Sequence, residues 1–400
     1  MTALHFLAIG VAVFCFVTTF PLVLELGILS LSALILRRSN QPRTAPAAGK
    51  FHIIVPAHNE AVLIDRCVRS LLAAADAHTR VSVIAHNCTD NTADIATAAG
   101  AEAWVLNDSG ERGKGAALFY AFERAVHEGA VAVIVVDADS TVSPNFLAEF
   151  RNAFALGADA VQAKYIVANA DENDRTRLLG LSFLGINVVR PLGRDRLGLS
   201  CGIFGNGFAL SAATLHAIPY TAHSVVEDLE YHLMLVESGR NVRFLSDAVV
   251  YGEMPNNTAA AATQRSRWEG GRSRMRRIYA PKLARHIATH GHLSLIEPFL
   301  DLLTLPLGTE LVLLALAAAM PLDWSRTYGA IGLTCLALHV GTAITFAPNP
   351  ASTAKALASV PRHLFFKLST IAQRRRAATN KAGWQRTARN EEQAATQQAQ

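Results

Sequence analysis

Two carboxylates one residue apart, Asp137-Ala138-Asp139, directly follow the apolar run Val131–Val136. Ligands of open α/β sheets bind at the carboxyl ends of strands. Two carboxylates there can hold a hard divalent cation that bridges to a diphosphate. The same letters suit a plain polar loop, and Asp-x-Asp alone does not choose between the two.

Four further segments carry chemistry-bearing residues. In Val55-Pro56-Ala57-His58-Asn59-Glu60, a polar turn follows a strand-like run and can contact a nucleotide, or Asn59 can simply cap a helix. Glu111-Arg112-Gly113-Lys114-Gly115 joins two cations to two glycines, which lets charge and backbone approach an anion; a solvated loop has the same composition. Val226-Glu227-Asp228-Leu229-Glu230 clusters carboxylates whose repulsion can raise one pKa toward that of a general base. Acidic residues also favour helix N-termini, which is the plainer account of that cluster. In Gln264-Arg265-Ser266-Arg267-Trp268, Arg can pair with a pyrophosphate and Trp can stack on a sugar. A membrane-flanking basic belt explains Arg272, Arg274, Arg276 and Arg277 better.

The elements that must position these groups alternate in type. Phe51–Val55, Val81–Ala85, Ala103–Leu106 and Ala130–Val136 read as strands. Helical patterns lead from His58 through Leu72, from Thr89 to Ala99 and over Gly115–Glu128. This alternation predicts an α/β fold: a mainly parallel sheet with helices on both faces. No Gly-x-Gly-x-x-Gly or Gly-x-x-x-x-Gly-Lys-Ser motif follows the first strand, which argues against a dinucleotide oxidoreductase and a nucleoside triphosphatase.

Three apolar runs frame this region: Leu4–Leu36, Leu293–Met320 and Tyr328–Phe346. Each meets the roughly 20 residues that a spanning helix needs. Pro298 and Pro306, with Glu297, Asp301 and Glu310, make the second run irregular or protein-facing. No Lys or Arg precedes the first run and Arg37 and Arg38 follow it, which argues against a cleaved signal peptide. Ala354–Arg376 is amphipathic and suits a helix lying on the membrane surface.

Of the 400 residues, 51% are apolar and 17% charged, with mean hydropathy +0.23: a soluble domain carrying a few membrane segments. The net charge of +5 is concentrated at 37–43, 265–286 and 362–389, each beside an apolar stretch. That placement marks cytoplasmic flanks, not a nucleic-acid face. Five cysteines without a Cys-x-x-Cys pair imply neither disulfides nor zinc. The expected organisation is a span at 1–38, a linker at 39–50, a catalytic domain at 51–290, two spans at 291–348, a membrane-surface helix and basic segment at 354–390, and a disordered tail at 391–400.

Taken in order, Val-Pro-Ala-His-Asn-Glu, Asp-x-Asp, Glu-Asp and Gln-x-x-Arg-Trp resemble the family 2 glycosyltransferases, which have the GT-A fold. The likeness is greatest to their membrane-bound branch, which includes cellulose, chitin and hyaluronan synthases, and covers roughly Phe51 to Trp268. The resemblance implies a nucleotide-sugar site built from Pro56, His58, Glu60, His86, Lys114, Asp137, Asp139 and Arg267, with Asp139 on Mg²⁺ or Mn²⁺. Asp228 would be the catalytic base. Gly205, Asn206, Gly207, Gln264 and Trp268 would form the acceptor side, and Leu178–Val189 an interface helix. His86 stands where the family usually has an Asp near the nucleobase; a neutral imidazole can still bond a base edge. The implied activity is inverting transfer of a hexosyl or N-acetylhexosaminyl group, with a UDP-sugar the favoured donor. The acceptor would be a glycan or a lipid-linked group at the cytoplasmic face of the cell (inner) membrane. With so few spans, a partner subunit would have to complete any secretion channel. The competing reading is a non-catalytic nucleotide-sugar sensor or accessory subunit.

Overall fold

The computed structural model describes residues 3–36, 46–107, 113–222, 224, 226–254 and 258–361, with backbone alone at 258–263 and 265–267. In chain order, α1 (Ala3–Ile35) precedes β1 (Lys50–Ala57), α2 (Ile64–Ala74), β2 (Thr79–His86), α3 (Thr92–Ala98), β3 (Glu102–Leu106), α4 (Lys114–His127) and β4 (Ala130–Val135). Then follow β5 (Ser140–Val142), α5 (Phe146–Ala155), β6 (Ala160–Val167), α6 (Asp174–Leu184), a π-helical turn (Gly185–Val189) and α7 (Arg190–Arg196). β7 (Phe208–Ser211), α8 (Ala212–Ala217), α9 (Glu227–Glu237) and β8 (Val242–Gly252) complete the α/β region. The long α10 (Thr258–His290) leads to α11 (Ile296–Leu303), α12 (Leu307–Ala319), α13 (Asp323–Thr345) and α14 (Pro350–Ala356).

The strands form one sheet of order β3-β2-β1-β4-β7-β6-β8-β5. The first four are parallel, as the β-α alternation predicts. Beyond β4 the sheet is mixed: β7 runs antiparallel to β4 and β6, β5 antiparallel to β8, and β6 parallel to β8. Burial on both faces explains the continuous apolar strands. One face packs Ile64, Val68 and Leu71 of α2 and Phe146 and Phe150 of α5 against Phe51, Ile53 and Val55. The other packs α4, α6 and α9 against Ile54, Val133 and Phe208, and extends to Ala33 of α1 and Ala343 of α13. The apolar end helices therefore share a core with the α/β domain.

α1 and α13 are each long and apolar enough to cross a membrane. The run expected as the second span bends by 86° between α11 and α12, and the pair counts as a third span only if taken together. The residue before Pro306 is disfavoured in a helix, so the chain turns there and α12 restarts after the proline. The expected surface helix Ala354–Arg376 is described only as far as residue 361, through α14 and a short 3-10 turn; the rest lies outside the described residues, as do residues 37–38 of the first expected span, 39–45 of the linker and the 391–400 tail.

Charge is paired where α1, α7 and α11 meet. Glu25, its side chain 2% exposed, accepts from Arg190 and Arg194 of α7 at 2.5 and 2.6 Å. Asp301 of α11 accepts from the same two arginines, and Glu297 from Arg194. Glu297 and Asp301, two of the three acids that made the second run irregular, thus face protein. Arg272, assigned by its sequence context to a basic belt, instead donates to Asp301 Oδ2 at 2.8 Å and to Thr304 at 3.1 Å. Its charge is spent on a carboxylate and not on lipid. Arg274 and Arg277 are exposed, as a belt requires.

α7 can approach α1 because residue 193 is glycine. A Cβ there would strike the backbone carbonyl of Leu29, which no rotamer change relieves. Gly193→Ala is expected to destabilise the α1–α7 contact by about 1–3 kcal/mol. The check is the thermal midpoint of the detergent-solubilised protein, which should fall; an unchanged midpoint would contradict this tight crossing.

Candidate active site

The loop after β4 is held by side chains from other strands. The backbone N–H of Asp137 donates to Asn206 Oδ1 at 3.0 Å, and Asn206 Nδ2 donates to Ser140 Oγ at 2.9 Å. Ser140 Oγ donates in turn to Asp139 Oδ1 at 3.0 Å. Beneath them Gln162 of β6 is fully buried. Its Nε2 donates to the carbonyl of Asn206 at 2.8 Å and its Oε1 accepts from the N–H of Phe204 at 3.0 Å. A buried amide must be satisfied, and here it fixes the 204–207 loop against Asp137. Gly207 has φ +70° and a Cβ there would come within 2.5 Å of Val250, so only glycine lets the loop lie this close to the sheet.

Lys114 stands at the start of α4 and reaches into this cleft. Its ammonium pairs with Asp137 and donates to the carbonyl of Gly205 at 2.5 Å. A Cβ placed on Gly205 would lie 3.2 Å from Asp228 Oδ2 and 3.6 Å from Lys114 Nζ. Asp228 and Lys114 therefore face the same point, over Gly205. The side chains of Lys114 and Asp137 keep 24% and 33% of their exposure, so the cleft opens to solvent.

Electrostatics follow from this crowding. Burial alone would lower the pKa of Lys114, but Asp137, Glu227 and Asp228 outweigh it and raise it. Glu227 is pushed up to about 7 by burial and by the charge of Asp228, against the pull of Lys114. Asp228 is raised by burial, opposed by the N–H of Leu229 and by Lys114. Leu229 N–H donates to Asp228 Oδ1 at 2.8 Å, leaving Oδ2 on the Gly205 side. The acidic start of α9 is thus more than a helix-end preference, because its pair of acids shares one cleft with a cation.

The turns after β1 and β2 interlock beside it. Asn59 and Asn87 adopt left-handed φ of 57° and 52°. Asn59 Oδ1 accepts from Thr89 N–H at 2.7 Å, so it ties two turns together and does not cap α2. Asp90 Oδ1 accepts from the N–H of Thr92, the first residue of α3, at 3.1 Å. His58 Nδ1 donates to the carbonyl of His86 at 2.8 Å. The amide nitrogen of Asn87 can only donate, so His86 Nε2, 3.1 Å away, accepts, and its Nδ1 carries the proton. Pro56, His58, Glu60 and His86 thus meet at the carboxyl ends of β1 and β2.

On the far side, Trp268 of α10 is 38% exposed, and its ring lies 5.9 Å from that of Phe183 on α6. Phe183 is 5.7 Å from Tyr165 of β6. Gln264, one helical turn before Trp268, is half-buried. The side chain of Arg267, and residues 111 and 112, lie outside the described residues. Sequence reasoning missed Gln162, Ser140, Tyr165 and Phe183. For Gln162 a signal existed: an amide inside the apolar run Val161–Ala163 demands a partner.

Among the described residues no group of three His, Cys, Asp or Glu side chains is arranged to hold a metal by itself. The donor set still fits Mg²⁺ or Mn²⁺, which are held through one or two carboxylates while water and substrate phosphate fill the remaining positions. Asp139, half-exposed and oriented by Ser140, has that chemistry, with Asp137 adjacent.

Comparison with known proteins bears on the fold and the family. A curated relative, the probable glycosyltransferase YdaM of Bacillus subtilis, is 25% identical over 233 residues, 56% of this chain. The match covers 55% of that protein, so the chain spans about half its length. The solved mannosyltransferase PcManGT of Pyrobaculum calidifontis, in complex with GDP-Man and Mn²⁺, superposes with TM-score 0.53 at 19% identity, over 88% of this chain and 97% of that one. That likeness supports the GT-A-type fold. The family model described as glycosyltransferase like family 2 matches residues 46–271, more than half of the chain, and the protein belongs to that family.

Proposed function

We propose that the protein is an inverting transferase that moves a sugar from a nucleotide donor to a glycan or lipid-linked acceptor at the cytoplasmic membrane face. The observation that carries this reading is the meeting of Asp137, Lys114, Gly205 and Asp228 in one cleft. In the proposed reaction Asp228 Oδ2 takes the acceptor hydroxyl proton. The acceptor oxygen forms a bond to the anomeric carbon as the bond from that carbon to the diphosphate oxygen breaks on the opposite face. Asp137 and Lys114 border the diphosphate. Pro56, His58, Glu60 and His86 line the nucleoside end. Gln264 and Trp268 face the acceptor, with Phe183 and Tyr165 extending the aromatic surface. When bound at Asp139, Mg²⁺ or Mn²⁺ would neutralise charge on the departing diphosphate.

The branch with cellulose, chitin and hyaluronan synthases and a UDP-sugar donor remain part of this proposal; the GDP-Man bound by PcManGT makes a GDP-sugar the second donor to test. The domain limits proposed are 51–290 for catalysis and 1–38 and 291–348 for the membrane. Arg37, Arg38 and Arg43 and the run Arg265–Arg285 would face the cytoplasm of a multi-pass inner-membrane protein. A sensor requires no base, and the buried acid pair beside Lys114 favours catalysis over that alternative. The test is a radiolabel transfer screen in isolated membranes with UDP-glucose, UDP-N-acetylglucosamine and GDP-mannose. Transfer to glycan or lipid is expected from at least one; binding without transfer or hydrolysis from all three would favour the sensor.

Two predictions follow from the site. Asp139→Asn should nearly abolish transfer while the protein still folds, and EDTA should do the same to the unaltered protein, reversed by Mg²⁺ or Mn²⁺. Full activity after metal stripping would contradict the role given to Asp139. The second concerns pH. Only an ionised carboxylate accepts a proton; burial raises Asp228 above the usual carboxylate range, and its neighbour Glu227 is pushed up to about 7. The transfer rate should therefore fall as pH drops, at a pH above that of an ordinary aspartate. Glu227→Gln removes one negative charge and should move that acid limb to lower pH, with a smaller loss of rate than a change at Asp228. A kcat profile indifferent to pH across this range would exclude the pair as the base.

A further inference from the structure

We propose that Arg272 is a positioning residue for the transfer reaction, holding α10 against the base-bearing helix α9 through a chain of ion pairs that ends on Glu25 of α1. This inference rests on the reading of Asp228 as the base.

Three contacts define the path. At its site end, the backbone of α10 touches the residue just before Glu227 and Asp228: a Cβ on Gly271 would lie 2.6 Å from Val226 Cγ1. The next residue, Arg272, donates to Asp301 Oδ2 at 2.8 Å, to the Asp301 carbonyl and to Thr304 at 3.1 Å. Asp301 also accepts from Arg190 and Arg194, whose guanidinium groups hold Glu25 at 2.5 and 2.6 Å. Around this line Val226 and Met275 share one apolar cluster with Leu295 and Leu302. Arg272 is the only member of the ion-pair chain on α10 among the described residues, and that helix also carries Gln264 and Trp268.

The arrangement couples two halves of the site. α10 presents Trp268 toward the acceptor side, and its Gly271 backbone sets how closely protein covers α9's first turn. If Arg272 lets go, α10 can withdraw from Val226 and water can reach Glu227. Glu227 is faced by Asp228, Lys114, Asp137 and the buried Tyr220. Burial is also the largest cause raising Asp228, so with less of it the base ionises more readily and the acid limb of the rate profile should move down in pH. A displaced Trp268 should also let water compete with the acceptor for the donor sugar.

The test uses the full chain in detergent, comparing Arg272→Ala, Arg272→Lys and Asp228→Asn with the unaltered protein. Affinity for UDP and for GDP, each with Mn²⁺, is measured by calorimetry. Rates of transfer and hydrolysis are measured across pH with labelled UDP-glucose, UDP-N-acetylglucosamine or GDP-mannose, whichever the donor screen selects. For Arg272→Ala we expect kcat for transfer to fall about tenfold or more, equivalent to at least ~1.4 kcal/mol of barrier. The hydrolysed share should rise, the acid limb should shift to lower pH, and nucleotide affinity should hold within about twofold. Arg272→Lys keeps the charge without the planar fork and should recover part of each effect. If Arg272→Ala does not fold, Arg272→Lys carries the same readouts at smaller size. Activity lost only in proportion to folded protein, with the profile and hydrolysed share unmoved in the folding variants, would overturn the positioning role. A fully active Asp228→Asn would instead overturn the base assignment beneath it.

Discussion

Three carboxylates meet in one half-buried cleft, and a single ammonium makes that arrangement tolerable. Asp137 comes from the end of a strand, Glu227 and Asp228 from the start of a helix, and Lys114 from a third element between them. Like charges at such range repel, and burial worsens the repulsion. Lys114 answers both by pairing with Asp137 and lowering the cost of ionising the acids near it. Its hold on the carbonyl of Gly205 also fixes the loop over which Asp228 sits. Remove this cation and the cleft would protonate or open; with it, an acid raised to about 7, Glu227, stands beside the pair Lys114–Asp137.

The frame around that cleft is rigid for identifiable reasons. Gln162 and Asn206 bind the 204–207 loop to the loop after β4, and Asn59 and Asp90 lock the turns after β1 and β2. The apolar end helices belong to the same body, since Ala33 and Ala343 share a core with Phe208 and Tyr231. Glu25 would be costly in an apolar helix alone; two arginines of α7 compensate it. The π-helical turn before α7 presses Gly185 against His339 of α13, where Ser30 of α1 also bonds the imidazole. These contacts join the family 2 domain to helices able to enter a membrane.

Much of this was legible in the sequence wherever function occupies contiguous residues. Asp137-Ala138-Asp139 and Glu227-Asp228 could be singled out because each pair is local: the first follows the end of β4 and the second opens α9. The four parallel strands were legible from the alternation of apolar runs. The antiparallel half was not, because β7 and β5 have only four and three residues and show little pattern of their own. Gln162 lies 44 residues from Asn206, and no local motif announces such a bond. Arg272 was misread for a similar reason: composition places it in a basic belt, whereas its partner Asp301 lies 29 residues away across a helix break. The bend between α11 and α12 was foreshadowed by Pro306, though its size was not.

The account turns on whether the proton acceptor in the cleft is the carboxylate of Asp228, and donor binding measured beside transfer rate in Asp228→Asn tests that directly. The amide keeps the size and shape of the acid but cannot take a proton. The account predicts unchanged affinity for the nucleotide and metal, because Asp139, Asp137 and Lys114 are intact. Transfer should drop by about 10² to 10⁴-fold, the usual share of general-base catalysis. Loss of donor binding would mean that Asp228 holds the nucleotide, and an unchanged transfer rate would place the base elsewhere.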